Sequence, residues 1–154
     1  MYEWALFLHL AGAILFFAGL AVAAVGQGAA RRRSRPSEVA VLLRTARWGV
    51  AMVGAGTLLA LAGGFWLLDV TAYGFGGWVV ASLALLGFAV VAGGLGGQAP
   101  KRARRLAEHL AGEGDQPSAE LDQALRAPVA DALNWAAAAA AVAILVLMVW
   151  KPGA

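Results

Sequence analysis

A chain of 154 residues that is 61% hydrophobic and only 14% charged has a membrane composition, since soluble domains carry about a quarter charged residues. The absence of cysteine excludes disulfides, thiolate-held zinc, iron–sulfur clusters and cysteine nucleophiles. The net charge of +3, lying beside long apolar runs, reads as membrane topology and anionic lipid and not as nucleic-acid binding.

The first run, Trp4 to Val25, holds no charge and one polar side chain, His9. Ala21-Val22-Ala23 has the small residues of a signal cleavage site, but Met1-Tyr2-Glu3 carries a carboxylate where a secretory signal needs a positive n-region, and the run outlasts a signal's apolar segment. A retained transmembrane helix is expected over about 4–25. The connection after it is arginine-rich, and Pro36-Ser37-Glu38 reads as a helix start with Val39, Leu42 and Leu43 as an apolar stripe, so the second helix is expected over about 37–68, starting before the membrane. Asp69 to Gly77 reads as a short glycine-rich turn between antiparallel neighbours.

The third run gives a helix over about 78–97. Gln98 to Asp131 is the one sizeable polar stretch, with helical Arg102 to Leu110, a Gly112-Glu113-Gly114-Asp115 turn, and helical Ser118 to Arg126; it is expected to form a short amphipathic hairpin, about 98–127, near the membrane surface. Pro128 opens a fourth membrane helix over about 128–150. The expected fold is therefore all-α, a single antiparallel four-transmembrane-helix bundle over 1–154. Trp4, Trp48, Trp66, Trp78, Trp135 and Trp150 fall near run ends, as an aromatic belt requires. Of the 12 basic residues, all but Lys151 lie in the first and third connections, which the positive-inside rule makes cytoplasmic. Both termini then face outward across a plasma (inner) membrane.

Lipid supplies no hydrophobic drive between helices, so small residues that let backbones approach mark the inner faces. These are Ala5, His9, Gly12, Ala13, Phe16, Gly19 and Ala23 on the first helix, and Gly49, Met52, Gly56, Ala60 and Gly63 on the second. The third contributes Ser82, Ala89, Gly93 and Gly96, and the fourth Asn134, Ala138, Ala141, Leu145 and Met148. Counting from the nearest tryptophan at 1.5 Å per residue, His9 lies ~7.5 Å, Ser82 ~6 Å and Met148 ~3 Å inside the outer boundary. An ionisable side chain in a span is a candidate site. The bland reading gives His9 a hydrogen bond to Ser82 or to a backbone carbonyl that glues helices. The sharper reading makes it a ligand to haem b or copper, with Met148 as a second ligand and Ser82 behind them. His109 lies among charges on the hairpin and reads as a solvated side chain, and no complete catalytic constellation is present. Arg47 and Asp131, both at cytoplasmic helix ends, are expected to form an ion pair.

Leu8-His9-Leu10-Ala11-Gly12-Ala13-Ile14-Leu15 with Gly19-Leu20, an arginine cluster and a glycine-bearing helix resembles the predicted integral membrane family known as domain of unknown function 2269. That family is placed in the copper-resistance-D-like superfamily, which also holds a haem-binding protoporphyrinogen oxidase. The resemblance covers all four helices, is most specific in the first, and implies a haem-ligand role for His9. The sequence departs from the oxidase relatives in two ways: Phe16-Phe17 stands where relatives often have a tryptophan, and no lysine lies in the third run, where the oxidases place a functional one. Two functions follow: a non-catalytic membrane module acting as a homo-oligomer or an accessory subunit of a larger complex, or a redox or metal-handling protein that binds haem b, or copper, through His9.

Overall fold

The computed structural model describes residues 1–71 and 75–152. Its regular elements are six α-helices: α1 (Tyr2–Ala30), α2 (Pro36–Val70), α3 (Gly77–Gly96), α4 (Gln98–Gly112), α5 (Ala119–Leu125) and α6 (Pro128–Trp150). Four helical stretches are long and apolar enough to cross a membrane: Tyr2–Ala30, Pro36–Val70, Gly77–Gly112 and Ala119–Trp150. The all-α membrane fold read from the sequence is the one observed, and it is consistent with a four-helix membrane bundle. Pro36 and Pro128 each stand at the first turn of their helix, where a missing N–H costs nothing. α1 runs past Val25 to Ala30, about 43 Å at 1.5 Å per residue and so longer than a ~30 Å hydrocarbon core. Part of the turn expected between the second and third helices, at 72–74, lies outside the described residues.

The chain divides into two compact units, one made of 1–71 with 100–126, the other of 72–99 with 127–154. In the first, α1 and α2 pack antiparallel along a seam with a small residue at every seventh position: Ala5, Gly12, Gly19 and Gly26 face Gly49, Gly56 and Gly63, all buried. A seven-residue repeat keeps one face turned to its partner as the pair supercoils left-handedly. The approach is backbone to backbone. A methyl group added to Gly19 would lie 2.6 Å from the Gly49 carbonyl oxygen, and one added to Gly49 would lie 2.6 Å from the Gly19 oxygen. Gly12 and Gly56 are reciprocal in the same way, at 2.8 and 2.7 Å. Such proximity maximises dispersion and Cα–H···O contacts, the forces left when lipid removes the hydrophobic drive.

Beyond the seam the first unit is packed differently. Ala30 at the end of α1, Val39, Ala40 and Leu43 of α2, Ala103 and Ala107 of α4, and Leu121 and Leu125 of α5 form one buried cluster, flanked by Leu42, Leu106, Leu110 and Ala124. The polar connection is therefore a helical hairpin, as expected, but its apolar face closes over α2 and is not left for the membrane surface. This cap is latched at its far end. Asp115, held at positive φ in the turn after α4, accepts both the backbone N–H and the hydroxyl of Ser37, each at 2.7 Å. The Ser37 amide is one of the unsatisfied donors at the start of α2, whose N-cap residue Arg35 makes no side-chain cap bond. Asp115 thus caps α2 from 78 residues away.

In the second unit α3 packs with α6. Gly96 brings its backbone against Asn134 and Ala130, where an added methyl would lie 3.0 Å from the Ala130 oxygen, and Gly93 faces the Ala137 methyl. Ser82, Ala89 and Gly96 are buried as the small-residue stripe of α3 predicts. On α6 the buried positions are Ala140 and Ala141, whereas Leu145, expected on the inner stripe, is 49% exposed. Lys151 ends α6 in a left-handed conformation and sets its ammonium 5.8 Å from the centre of the Trp78 ring.

Candidate functional site around His9

His9 lies on α1 between the seam residues Ala5 and Gly12, and its position is set by the glycine pair of α2 opposite it. Gly63 has no Cβ because the His9 backbone occupies that space, and a methyl on Gly64 would stand 3.2 Å from the His9 Nδ1 and 3.4 Å from Cε1. The two glycines leave α2 an unbroken helix and make room for an imidazole. The half-buried ring points Nδ1 at the Ala60 carbonyl oxygen, 2.7 Å away. A carbonyl only accepts, so Nδ1 carries the proton and donates it. In the neutral ring this fixes the tautomer and leaves the lone pair on Nε2. His9 is therefore both a strut between α1 and α2 and an imidazole oriented as metal-binding histidines are, with one nitrogen anchored to a carbonyl.

Of the two expected partners of His9, one of the kinds foreseen is found: a backbone carbonyl. Ser82, 4% exposed, donates its hydroxyl to the Trp78 carbonyl of its own helix at 2.8 Å, the usual resolution for a serine inside a helix. Met148 is half-buried on α6. Ser82 and Met148 belong to the second unit and His9 to the first. Among the described residues there is no group of three or more His, Cys, Asp or Glu side chains placed to hold a metal ion. Arg47 is exposed on α2, and Asp131 is half-buried in the first turn of α6. His109 is exposed with Nε2 3.7 Å from Glu113, a solvated pair as its charged surroundings predict.

The polar constellation that sequence reasoning did not find is in the cap. Glu108 accepts from Arg104 at 2.7 Å and from Arg44 at 3.4 Å, tying α4 to α2. The hydrogen bond from Arg104 is the main cause that holds the Glu108 carboxyl below its ordinary range. The Ser37 hydroxyl, followed by the Ser37 amide, holds Asp115 below its own. Asp122 raises Arg126 through a paired hydrogen bond.

A membrane-length glycine seam, tryptophans at helix ends and a histidine strut are the marks of an integral membrane protein, and residues 4–152 match the family described as "Predicted integral membrane protein (DUF2269)". The chain belongs to that family. The match runs through all four membrane-length helices and the cap. No curated protein and no solved structure matches the chain.

Proposed function

We propose that this DUF2269 protein is a non-catalytic membrane module that acts as a homo-oligomer or as an accessory subunit of a larger membrane complex. The observation that carries this reading is the bond from His9 to the Ala60 carbonyl: the ionisable side chain within the apolar spans is engaged in joining α1 to α2, the task of a scaffold. The proposal includes a plasma-membrane setting with both termini outside, the cap in the cytoplasm, and anionic lipid on the cap side, supported by the 11 basic residues of the first and third connections. The test is the mass of the protein extracted from its native membrane in mild detergent. A species of one copy with no co-purifying subunit would sink the proposal.

A second reading, binding of haem b or copper, is favoured by one detail of the same bond: donation from Nδ1 leaves Nε2 as a lone-pair ligand. The donor set would suit haem better than a closed metal site, because His9 offers a single nitrogen and a thiolate is absent from the chain. Met148 and Ser82 are the further residues this reading enlists. A bound haem supplies one-electron chemistry, and His9 would hold its iron. A visible-region spectrum separates the readings: a Soret band lost in His9→Ala while the helices remain folded supports haem, and a colourless, copper-free protein refutes it.

A further inference from the structure

The triple arginine Arg31-Arg32-Arg33 is the most conspicuous basic feature of the sequence, yet the first unit carries a second set of exposed cations on α2 and α4. The register of α2 and α4 is set by two contacts. Ser37 meets Asp115, and Arg44 meets Glu108, so seven residues along α2 correspond to seven residues back toward the start of α4. Continued, this antiparallel register brings Arg105 level with Arg47, and Arg102 and Lys101 level with Val50 and Ala51. The boundary of the bilayer is marked on α2 by Trp48, 71% exposed, where the buried residues change from Val39 and Leu43 to Gly49 and Gly56. Gly19 faces Gly49 and Val53, and Gly26 faces Leu42 and Ala46, so Trp48 is level with about Val22 of α1, and Arg31 to Arg35 begin nine residues, ~13.5 Å, beyond that level. That exceeds the Debye length of about 8–10 Å at physiological salt.

We propose that Arg47, Lys101, Arg102 and Arg105 form a belt that binds the headgroups of anionic phospholipids, and that the arginines of the 31–35 loop do not. All four side chains are exposed. Three carboxylates of the first unit are held by other cations: Glu108 by Arg104 and Arg44, Glu38 by Arg33, Asp122 by Arg126. On α4 the opposite face, Ala103 and Ala107, is sealed in the cap core, so α4 meets the membrane through charge and not by inserting apolar side chains. Long cationic side chains at this level set their heads among phosphates while their stems lie along apolar surface. The inference rests on the proposed placement of an anionic leaflet on the cap side.

The test is native mass spectrometry of the full chain released from micelles containing phosphatidylglycerol and phosphatidylcholine of matched tails. Wild type is expected to retain phosphatidylglycerol preferentially. Changing Arg47, Lys101, Arg102 and Arg105 together to Gln should lower that preference by about tenfold or more, since each basic residue near the surface contributes roughly fivefold. Changing Arg31, Arg32, Arg33 and Arg35 to Gln should leave it within about twofold, as expected for charges beyond the screening length. Should the fourfold belt variant fail to fold by circular dichroism, the single exposed changes Lys101→Glu and Arg105→Glu carry the test with the same expected direction. No preference in wild type, or loss of preference only in the loop variant, would overturn the belt. Displacement of the lipid by water-soluble glycerol phosphate, or binding of polyglutamate without any lipid preference, would overturn it in favour of a soluble phosphate or an acidic protein. The same spectra give the oligomer mass, so failure of the lipid belt and failure of the module reading are separately visible.

Discussion

Adding one methyl group at Gly19 tests the glycine seam most directly. Its new Cβ would lie 2.6 Å from the Gly49 oxygen and 2.7 Å from the Val53 nitrogen, whereas ordinary contact needs about 3.4 Å or more. Both obstacles are backbone atoms of a helix, so no rotamer change relieves them, and α1 and α2 must separate by most of an ångström at that turn. A gap of that size forfeits a quarter to a half of each dispersion contact it opens, and overpacking that cannot relax costs about 1–3 kcal/mol. We expect Gly19→Ala near the top of that range, about 3 kcal/mol. The control is Gly54→Ala on α2, where an added Cβ meets nothing within 4 Å and relief of glycine's backbone entropy should stabilise the helix by roughly 0.5–1 kcal/mol. Unfolding in mixed micelles titrated with sodium dodecyl sulfate, followed by far-ultraviolet circular dichroism, reads both. Because one separation of the helices relieves both clashes, Gly19→Ala and Gly49→Ala should be far from additive. Equal stability of Gly19→Ala and Gly54→Ala would refute the packing argument.

His9→Ala removes the bond to Ala60 and should cost about 1 kcal/mol in the same titration, in line with other interhelical hydrogen bonds in membranes; a loss several times larger would assign His9 a weightier task than a strut. Asp115 has its carboxyl lowered from an ordinary value of 3.8 by Ser37, so its contribution to the cap is fully present above that value and is lost as pH falls through the lower folded value. Hydrogen exchange at the Ser37 amide should therefore stay slow on acidification to pH 3.8 and accelerate only below it, while Asp115→Asn should show weak protection with no such step. An alkaline-phosphatase fusion after Ala154 should be active and one within the 98–131 stretch inactive; the reverse pattern would invert the proposed orientation.

Much of this molecule is legible from the chain alone, for reasons that also mark where reading stops. Apolar runs of bilayer length declare four helices, and Pro36 and Pro128 locate two of their starts because proline tolerates so few helical positions. The inner faces of α1 and α2 are visible because glycine is the residue that permits backbone contact. Leu145 misled because a large residue at helical spacing can equally face lipid, which is as apolar as a protein interior. The carbonyl partner of His9 was foreseen as a type but not as Ala60, since backbone acceptors leave no mark in a side-chain sequence. Ser37 and Asp115 were each readable, as a helix start and a turn, yet nothing in a single sequence joins residues 78 apart.

The two halves of α2 show why the cap and the seam look so unlike one another. Along one face of that helix the buried residues run Val39, Leu43, Ala46, Gly49, Gly56, Gly63, from large to none. In water, burying Val39 and Leu43 removes apolar area from solvent, and each contributes roughly 1.5–3 kcal/mol for that reason, so bulk is favoured. In lipid the same side chains would exchange one apolar neighbour for another with no such gain, and attraction must come from the number of atoms brought within dispersion range, so absence of bulk is favoured. With the cap placed in the cytoplasm as proposed, the change from Leu43 to Gly49 marks the passage from one solvent to the other, and Arg47 and Trp48, both exposed, stand between them. A helix that crosses this boundary is held at one end by the hydrophobic effect and at the other by close packing. Urea, which weakens the former by solvating apolar and peptide groups, should accordingly loosen the cap around Leu121 and Leu125 at concentrations that leave the Gly19 and Gly49 contact intact.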